Sequence, residues 1–197
     1  ARGTALTEAR ITRDLGVSRT PVREALSQLA LDGLVRATPN KSNVVLGFDT
    51  QDILDMYEVR RSMESLAAAR AAANMSDGQL RELQAIFEHE AHETGSLNSA
   101  AQLQDIDNAF HEMIFSGSGS NILQNILSSI NVYTRYARRI SLTRPGRSQK
   151  VLAEHETILR AIAGRDSTAA AQAMSDHIDS AAASYLATRM TGGQTDA

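Results

Sequence analysis

One twelve-residue stretch constrains the fold of this chain more than any other, and it reads Leu15-Gly16-Val17-Ser18-Arg19-Thr20-Pro21-Val22-Arg23-Glu24-Ala25-Leu26. Gly16 can adopt the left-handed conformation that ends one helix, and Ser18 can cap the next. Pro21 falls in the first turn, where its missing N–H is not needed. The pattern predicts a helix-turn-helix whose second helix begins at Arg19.

The second helix of this pair has two different faces. Arg19 and Arg23 are four residues apart with Thr20 beside them, so three polar side chains project together near the helix start. The opposite, inward face is apolar and carries Val22, Leu26, Leu29 and Ala30. A helix with this arrangement is typical of one that reads the major groove of double-stranded DNA.

The charge distribution supports a polyanion-binding end. Residues 1–47 contain seven Lys or Arg and four Asp or Glu, a balance of +3, so the rest of the chain contributes -6 to the net charge of -3. Such an asymmetry favours a small basic module on an acidic body. The chain has no cysteine, which excludes disulfides and thiolate metal sites, and it has no run of about 18 apolar residues. We expect a cytoplasmic protein without a membrane partner.

The N-terminal part predicts a winged helix-turn-helix domain over residues 1–47. Helices are expected at 7–15 and 18–32, and two short strands at 34–36 and 44–46 are joined by a polar loop. A winged helix normally has one more helix before these elements, so the domain is expected to be incomplete as given, with its first helix missing. Residues 48–50 are the expected linker, with Asp49 or Thr50 as the cap of the next helix.

The remaining chain predicts an all-α domain over residues 51–190, followed by a flexible tail at 191–197. Its Ala-rich helical segments are interrupted near 74–77, 94–96, 116–121, 143–148 and 164–166. Six helices result, and their short connections favour an antiparallel bundle. The fold class is therefore mainly α.

Four polar residues lie on apolar helix faces of this bundle. Asp107 and His111 are four residues apart, so both side chains lie on one face, and His155 and His177 each lie among apolar residues at helical spacing. Each histidine alone is more often a hydrogen-bonded core residue than a ligand. Together the four predict a site for a divalent ion (Zn, Ni, Mn or Fe, with Zn favoured), with open positions for a carboxylate.

Other polar residues of the bundle leave alternatives open. Arg60 lies on an inward stripe, where either an ion pair with Glu64 or an anionic effector would satisfy its guanidinium. Near Tyr133, three arginines at 135, 138 and 139 form a cluster that is mostly expected to be solvated, although one of them can reach the cavity. His89 and His92 lie in a polar segment and are expected to be solvated. No further inward Glu, Ser or Tyr is expected to act as a proton shuttle.

The chain resembles the GntR family of bacterial transcription regulators, in the FadR subfamily with its C-terminal ligand-binding FCD domain. The residues that carry this resemblance are the stretch from Leu15 to Leu26 with the following Leu-x-x-Asp-Gly-Leu-Val, the run Tyr57-Glu58-Val59-Arg60-Arg61-Ser62-Met63-Glu64, and the set Asp107, Phe110, His111, Glu154, His155, Ile158 and His177.

This resemblance implies a homodimer that binds a palindromic operator and responds to a small organic acid. It implies DNA contacts from Ser18, Arg19, Thr20, Arg23 and the wing residue Lys41. It also implies metal ligation by Asp107, His111, His155 and His177, with Arg60 facing the effector. In the wing, Ser42 stands where the family usually has a glycine.

Two other functions compete with a ligand-responsive regulator. A metal-dependent hydrolase with a helix-turn-helix head would use the open metal positions to activate water. A purely structural dimerisation module with a stabilising metal would predict that no carboxylate changes operator affinity.

Overall fold

The structure is a computed structural model that describes residues 3–31, 33–37, 42–94, 100–142 and 144–192. The chain divides into two units, Ala1–Ile53 and Leu54–Ala197. In the described part of the chain, no helix is long and apolar enough to cross a membrane.

The helix-turn-helix forms as the sequence predicts. Helix α1 spans Glu8–Leu15, and helix α2 spans Arg19–Leu31. The hydroxyl of Thr7 caps α1 by accepting a hydrogen bond from the backbone N–H of Arg10 at 3.3 Å. Gly16 ends α1 with a φ of 66°, the left-handed region that a side chain disfavours. The turn between the helices is therefore built into the local sequence.

A three-stranded antiparallel sheet completes this unit, with strand order β1-β3-β2. Strands β2 (Val35–Arg36) and β3 (Asn43–Val45) occupy the predicted wing positions. Strand β1 (Ala5–Leu6) was not predicted, because two residues carry no alternation that a sequence pattern can detect. The wing residue Lys41 lies outside the described residues.

Six helices form the second unit, as predicted. They are α3 (Thr50–Asn74), α4 (Asp77–Thr94), α5 (Ala100–Gly117), α6 (Asn121–Leu142), α7 (Arg147–Ala163) and α8 (Ser167–Gly192). Asp49 caps α3 through a reciprocal pair: its carboxylate accepts from the N–H of Asp52 at 2.9 Å, and Asp52 accepts from the N–H of Asp49 at 2.8 Å. The predicted tail lies outside the described residues from position 193 onward, and α8 includes 191 and 192.

The centre of the second unit is not purely apolar. Phe110, Ile114, Ile158 and Met174 are fully buried there, as an amphipathic bundle requires. Buried among the same helices are charged or ionisable side chains, namely Arg60, Glu64, Glu90, Asp107, His111, Arg138, Arg147, His155 and His177. Because buried charges are costly unless they are paired or bind a ligand, this polar centre requires a specific explanation.

Candidate metal centre and nucleic-acid interface

The structure brings together the four residues that the sequence singled out in the bundle. Asp107 and His111 come from α5, His155 from α7 and His177 from α8. One potential ligand atom from each lies within 4.8 Å of the others, and all four residues are buried. The ring centroid of His155 lies 5.4 Å from that of His111 and 4.8 Å from that of His177. Three helices thus converge on one point.

Each of the three histidines has a glutamate at its Nδ1 atom. Glu90 Oε2 lies 2.7 Å from Nδ1 of His155, and Glu154 Oε2 lies 2.8 Å from Nδ1 of His177. These two contacts have hydrogen-bond geometry. Nδ1 of His111 lies 2.7 Å from Glu64 Oε2, although this contact is poorly aligned for a hydrogen bond. Carboxylates at Nδ1 fix the orientation of imidazoles that bind a metal through Nε2.

The atoms left over at the centre are potential ligands. Among the residues that the structure describes, Nε2 of His111 and Nε2 of His155 are buried without a hydrogen-bond partner. Oδ2 of Asp107 also accepts no aligned hydrogen bond there, although Nη1 of Arg138 lies 3.2 Å from it in an ion pair. Buried polar atoms are rarely left in this way, and an ion is one recognised reason for it. The donor set of three imidazole nitrogens and one carboxylate fits a divalent transition metal.

The protonation states also suit ligation for two of the histidines. Burial, together with repulsion from Arg138, lowers the pKa of His111 to about 3. Burial lowers the pKa of His177 to about 4, against the opposing effect of Glu154. Burial also disfavours charge on His155, but Glu90 outweighs it and raises the pKa. For Asp107 burial is outweighed by Arg138 and the histidines, which lower the pKa and keep the carboxyl ionised.

A small cavity adjoins this centre and is lined by three buried arginines. We call it the inner cavity, and its lining comprises Arg60, Asp107, Arg138, Ser141, Arg147, Val151, His177 and Ala181. Its volume of about 10 Å³ has room for about one water molecule. Nη1 of Arg60, Nε of Arg138, Nε of Arg147 and the hydroxyl of Ser141 are buried there without a hydrogen-bond partner among the described residues.

Both alternatives for Arg60 have a counterpart in the structure. Its Nε donates to Glu64 Oε1 at 2.6 Å, which is the internal ion pair. Its Nη1 remains without a partner among the described residues, and the side chain lines the inner cavity. In the arginine cluster, Arg138 is the member that reaches the cavity, while the side chains of Arg135 and Arg139 lie outside the described part of the structure.

The glutamates are the part of the site that sequence reasoning missed. The sequence predicts no proton shuttle among inward glutamates and gives Glu90 no role at the site, yet Glu64 and Glu90 are buried and Glu154 is largely so. Glu90 belongs to the segment interpreted as solvated, where His89 and His92 are indeed exposed. Glu90 lies on a different helix from the four candidate ligands, so no spacing in the sequence connects it with them. The sequence predicts the pairing of Glu64 with Arg60 as one alternative, but it does not predict the contact of Glu64 with His111.

The predicted DNA-contacting residues of the first unit are exposed. Ser18, Arg19, Thr20 and Arg23 all lie at or near the start of α2, and Val22 and Leu26 behind them are buried. The guanidinium of Arg23 is held by Glu8 at the start of α1, with Nε and Nη2 each 3.1 Å from a carboxylate oxygen. This bidentate pair gives the side chain a defined direction.

An exposed arginine-bearing helix in a winged helix-turn-helix unit, followed by a helical unit with a buried polar centre, is the architecture of a two-domain transcription regulator. The comparisons with known proteins agree. Residues 1–45 match the gntR family of bacterial regulatory proteins, and residues 55–180 match the FCD domain. The chain therefore belongs to the GntR family and carries an FCD domain, which is compatible with the FadR subfamily.

Individual relatives are similar along most of the chain. It is 32% identical over 176 residues to the transcriptional repressor GlaR of Escherichia coli (strain K12), covering 83% of this chain and 77% of GlaR. Its fold is similar to that of E. coli McbR/YncC, with a TM-score of 0.80 at 20% identity over 94% of this chain and 88% of that one. The metal-free FCD domain of TM0439 is similar in fold, with a TM-score of 0.59 at 18% identity over 74% of this chain and 99% of that one.

The family and these relatives identify the chain as a DNA-binding transcription regulator. Such regulators are not enzymes, and the alternative of a metal-dependent hydrolase finds no support among the relatives.

Proposed function

We propose that this regulator binds a divalent metal through Asp107, His111, His155 and His177, and that a small organic acid docking beside that metal changes its affinity for an operator. The observation that carries the proposal is the orientation of the imidazoles. Carboxylates stand at all three Nδ1 atoms, while Nε2 of His111 and of His155 are buried without a hydrogen-bond partner in the described structure.

The residues of the centre fit a metal. Imidazole and carboxylate donors suit Zn, Ni, Mn and Fe, and Zn is the metal that we propose first. When bound, the metal supplies positive charge and coordination positions that a carboxylate can occupy. Glu64, Glu90 and Glu154 keep the three rings in place and favour the tautomer that leaves Nε2 free to bind.

The arginines of the inner cavity supply the other half of an acid-binding site. Burial and repulsion from Arg60 lower the pKa of Arg138, which indicates that positive charge is crowded there. Within the described structure, one nitrogen of each guanidinium has no hydrogen-bond partner, namely Nη1 of Arg60, Nε of Arg138 and Nε of Arg147, while other nitrogens of these groups are paired. A carboxylate is the natural partner for such nitrogens, because charge-assisted bonds to guanidinium are short and strong.

The regulatory step follows from linkage. An acid alters operator affinity only if it binds one arrangement of the protein more tightly than another, typically by about 1–3 kcal/mol. We propose a homodimer that reads a palindromic operator, with Ser18, Arg19, Thr20 and Arg23 of each copy in successive major grooves and Lys41 on the backbone or minor groove. The corresponding location is the cytoplasm, where the operator and metabolic acids are accessible.

The test measures operator affinity with and without metal and acid. An operator duplex is first isolated by selection from random DNA with the purified protein. Fluorescence anisotropy then measures how tightly the zinc-loaded protein binds this duplex. The measurement is repeated in the presence of each of a panel of small mono-, di- and hydroxycarboxylates. We expect at least one acid to change the affinity about fivefold or more, and the change to vanish in the metal-stripped protein.

The competing reading is a structural metal in a dimerisation module. It predicts that zinc raises the stability of the protein. It also predicts that acids shown by calorimetry to bind the protein leave its operator affinity unchanged. That pattern would overturn the sensing proposal and leave metal binding intact.

A further inference from the structure

We propose that a second pocket beside the inner cavity is an anion subsite, so that the effector is an acid with an anionic group at each end. This inference rests on the proposed function of the inner cavity. We call the second pocket the outer pocket. It has a volume of about 320 Å³ and lies between the start of α7 and the middle of α8, and its polar lining comprises Arg144, Gly146, Arg147, Lys150, Ser180 and Ser184.

Cations dominate the outer pocket. Arg144, Arg147 and Lys150 line it, and the described carboxylate that pairs with two of them is that of Glu154. Glu154 is already engaged by Nη1 of Arg147 at 3.0 Å and by Nδ1 of His177 at 2.8 Å, with Nζ of Lys150 3.9 Å away. Two of the three cations, Arg147 and Lys150, therefore share one carboxylate. Within the described structure, Arg144 makes no side-chain hydrogen bond or ion pair.

The start of α7 adds backbone donors to this charge, although the N–H of Arg147 itself already donates to the backbone carbonyl of Arg144 at 3.0 Å. The helix has 17 residues, and its capping position is Gly146, with a φ of 75° and no side-chain capping bond. The first-turn N–H groups of a helix carry a partial positive charge and commonly bind anions. A side chain at the cap would satisfy one of these donors, and glycine supplies none.

A buried arginine that lines both this pocket and the inner cavity gives a further sign that a ligand belongs here. The side chain of Arg147 is only 4% exposed, and it is held by hydrogen bonds from Nη1 to Glu154 and to the hydroxyl of Ser180, both at 3.0 Å. Its Nε is buried without a partner in the described part of the chain. Unlike a solvated surface arginine, this guanidinium is held in place and keeps a buried N–H that a ligand could use.

The two pockets share a wall, which is why one ligand can reach both. Arg147 lines the inner cavity and the outer pocket. Ser184 of the outer pocket donates to the backbone carbonyl of Ser141, whose side chain lines the inner cavity. The inner cavity has room for about one water-sized group, such as a single carboxylate oxygen. In this proposal the rest of the acid lies outside it, beside Arg147 and toward the second set of cations.

The experiment compares acids of equal chain length on the zinc-loaded protein by calorimetry. The probes are butyrate against succinate, hexanoate against adipate, and 3-phosphonopropionate as the phosphonate counterpart. The pocket variant is R144Q/K150Q, in which both changed residues are exposed. The control variant, R81Q/R189Q, removes the same charge from exposed positions on α4 and α8 outside the pocket.

We expect at least one doubly anionic probe to bind about tenfold more tightly than its monoanionic partner, as one charged hydrogen bond contributes. This gain should persist in R81Q/R189Q and fall to within about twofold in R144Q/K150Q, where monoacid binding is unchanged. A gain that survives in R144Q/K150Q, or no gain at any length, would overturn the proposal.

Inorganic phosphate separates this proposal from that of the inner cavity. Titrated into metal-stripped protein, it should bind the wild type and R81Q/R189Q, with at least about tenfold weaker binding to R144Q/K150Q. Equal phosphate binding in all three proteins would overturn the outer subsite even if monoacids bind at the metal. A different result would overturn the inner site instead. In that case no carboxylic acid would bind the zinc-loaded protein, while phosphate would still bind the wild type more tightly than R144Q/K150Q.

Discussion

Glu90 Oε2 accepts a hydrogen bond at 2.7 Å from Nδ1 of His155, although the two residues are 65 positions apart in the chain. The pair joins α4 to α7 in the buried centre of the second unit. Because this bond uses Nδ1, the ring presents Nε2 toward Asp107, whose Oδ1 lies 3.7 Å away. The orientation of a candidate ligand is thus fixed by a hydrogen bond to a residue on another helix.

Replacing Glu90 by glutamine should weaken zinc binding by about 10–100-fold, the usual effect of removing a carboxylate behind a ligand histidine. The amide keeps the shape of the side chain but loses the charge that favours the correct tautomer. The measurement is competition for zinc against a chromophoric chelator. E88Q, an exposed position on the same helix, is the matched control. Equal zinc affinity in E90Q and wild type would show that Glu90 does not orient His155.

Replacing His155 by alanine should abolish the stabilisation that zinc gives to the wild-type protein. At free zinc of about 100 times the dissociation constant, that stabilisation is about 2.7 kcal/mol. Differential scanning calorimetry with zinc and with a chelator measures it as a change in melting temperature. H89A removes an exposed histidine from α4 and should behave as wild type. An undiminished zinc response in H155A would remove it from the ligand set.

Replacing Arg60 by alanine should destabilise the second unit by about 3–5 kcal/mol, because Glu64 would then be a buried charge without its closest partner. The double change R60M/E64Q removes both charges and should recover a large part of the loss. Urea unfolding followed by circular dichroism measures the difference. If R60A unfolds at the wild-type urea concentration, the buried pair is not coupled as its 2.6 Å contact implies.

Replacing Arg23 by alanine should reduce the ratio of specific to non-specific DNA affinity by about tenfold, the effect of losing one base-reading arginine. Glu8 directs this side chain in the free protein, so E8Q should lower the same ratio to a smaller extent. Anisotropy titrations with operator and scrambled duplexes provide the ratio. R13A, at the far end of α1, should weaken both duplexes alike. A ratio that is unchanged in R23A would exclude base readout by this residue.

Local signals made the helices and the turn of the first unit predictable. Gly16, Thr7 and Asp49 act within a few residues of their own position, so the sequence alone is enough to locate the caps. The convergence of Asp107, His111, His155 and His177 was also predictable, because each residue lies on an apolar face and apolar faces meet in a bundle. Strand β1 was missed because it is only two residues long.

What the sequence determined by itself was therefore the order of the helices and wing strands, the inward face of the four candidate metal ligands, and the family. Only the tertiary structure decided which glutamate stands behind which histidine, that Arg138 rather than its helix neighbours reaches the inner cavity, and that Arg147 connects this cavity to the outer pocket. The reason is physical. Helical periodicity fixes the direction of a side chain around its own axis, but the partner it meets depends on the rotation and axial shift of another helix, which many long-range contacts set together.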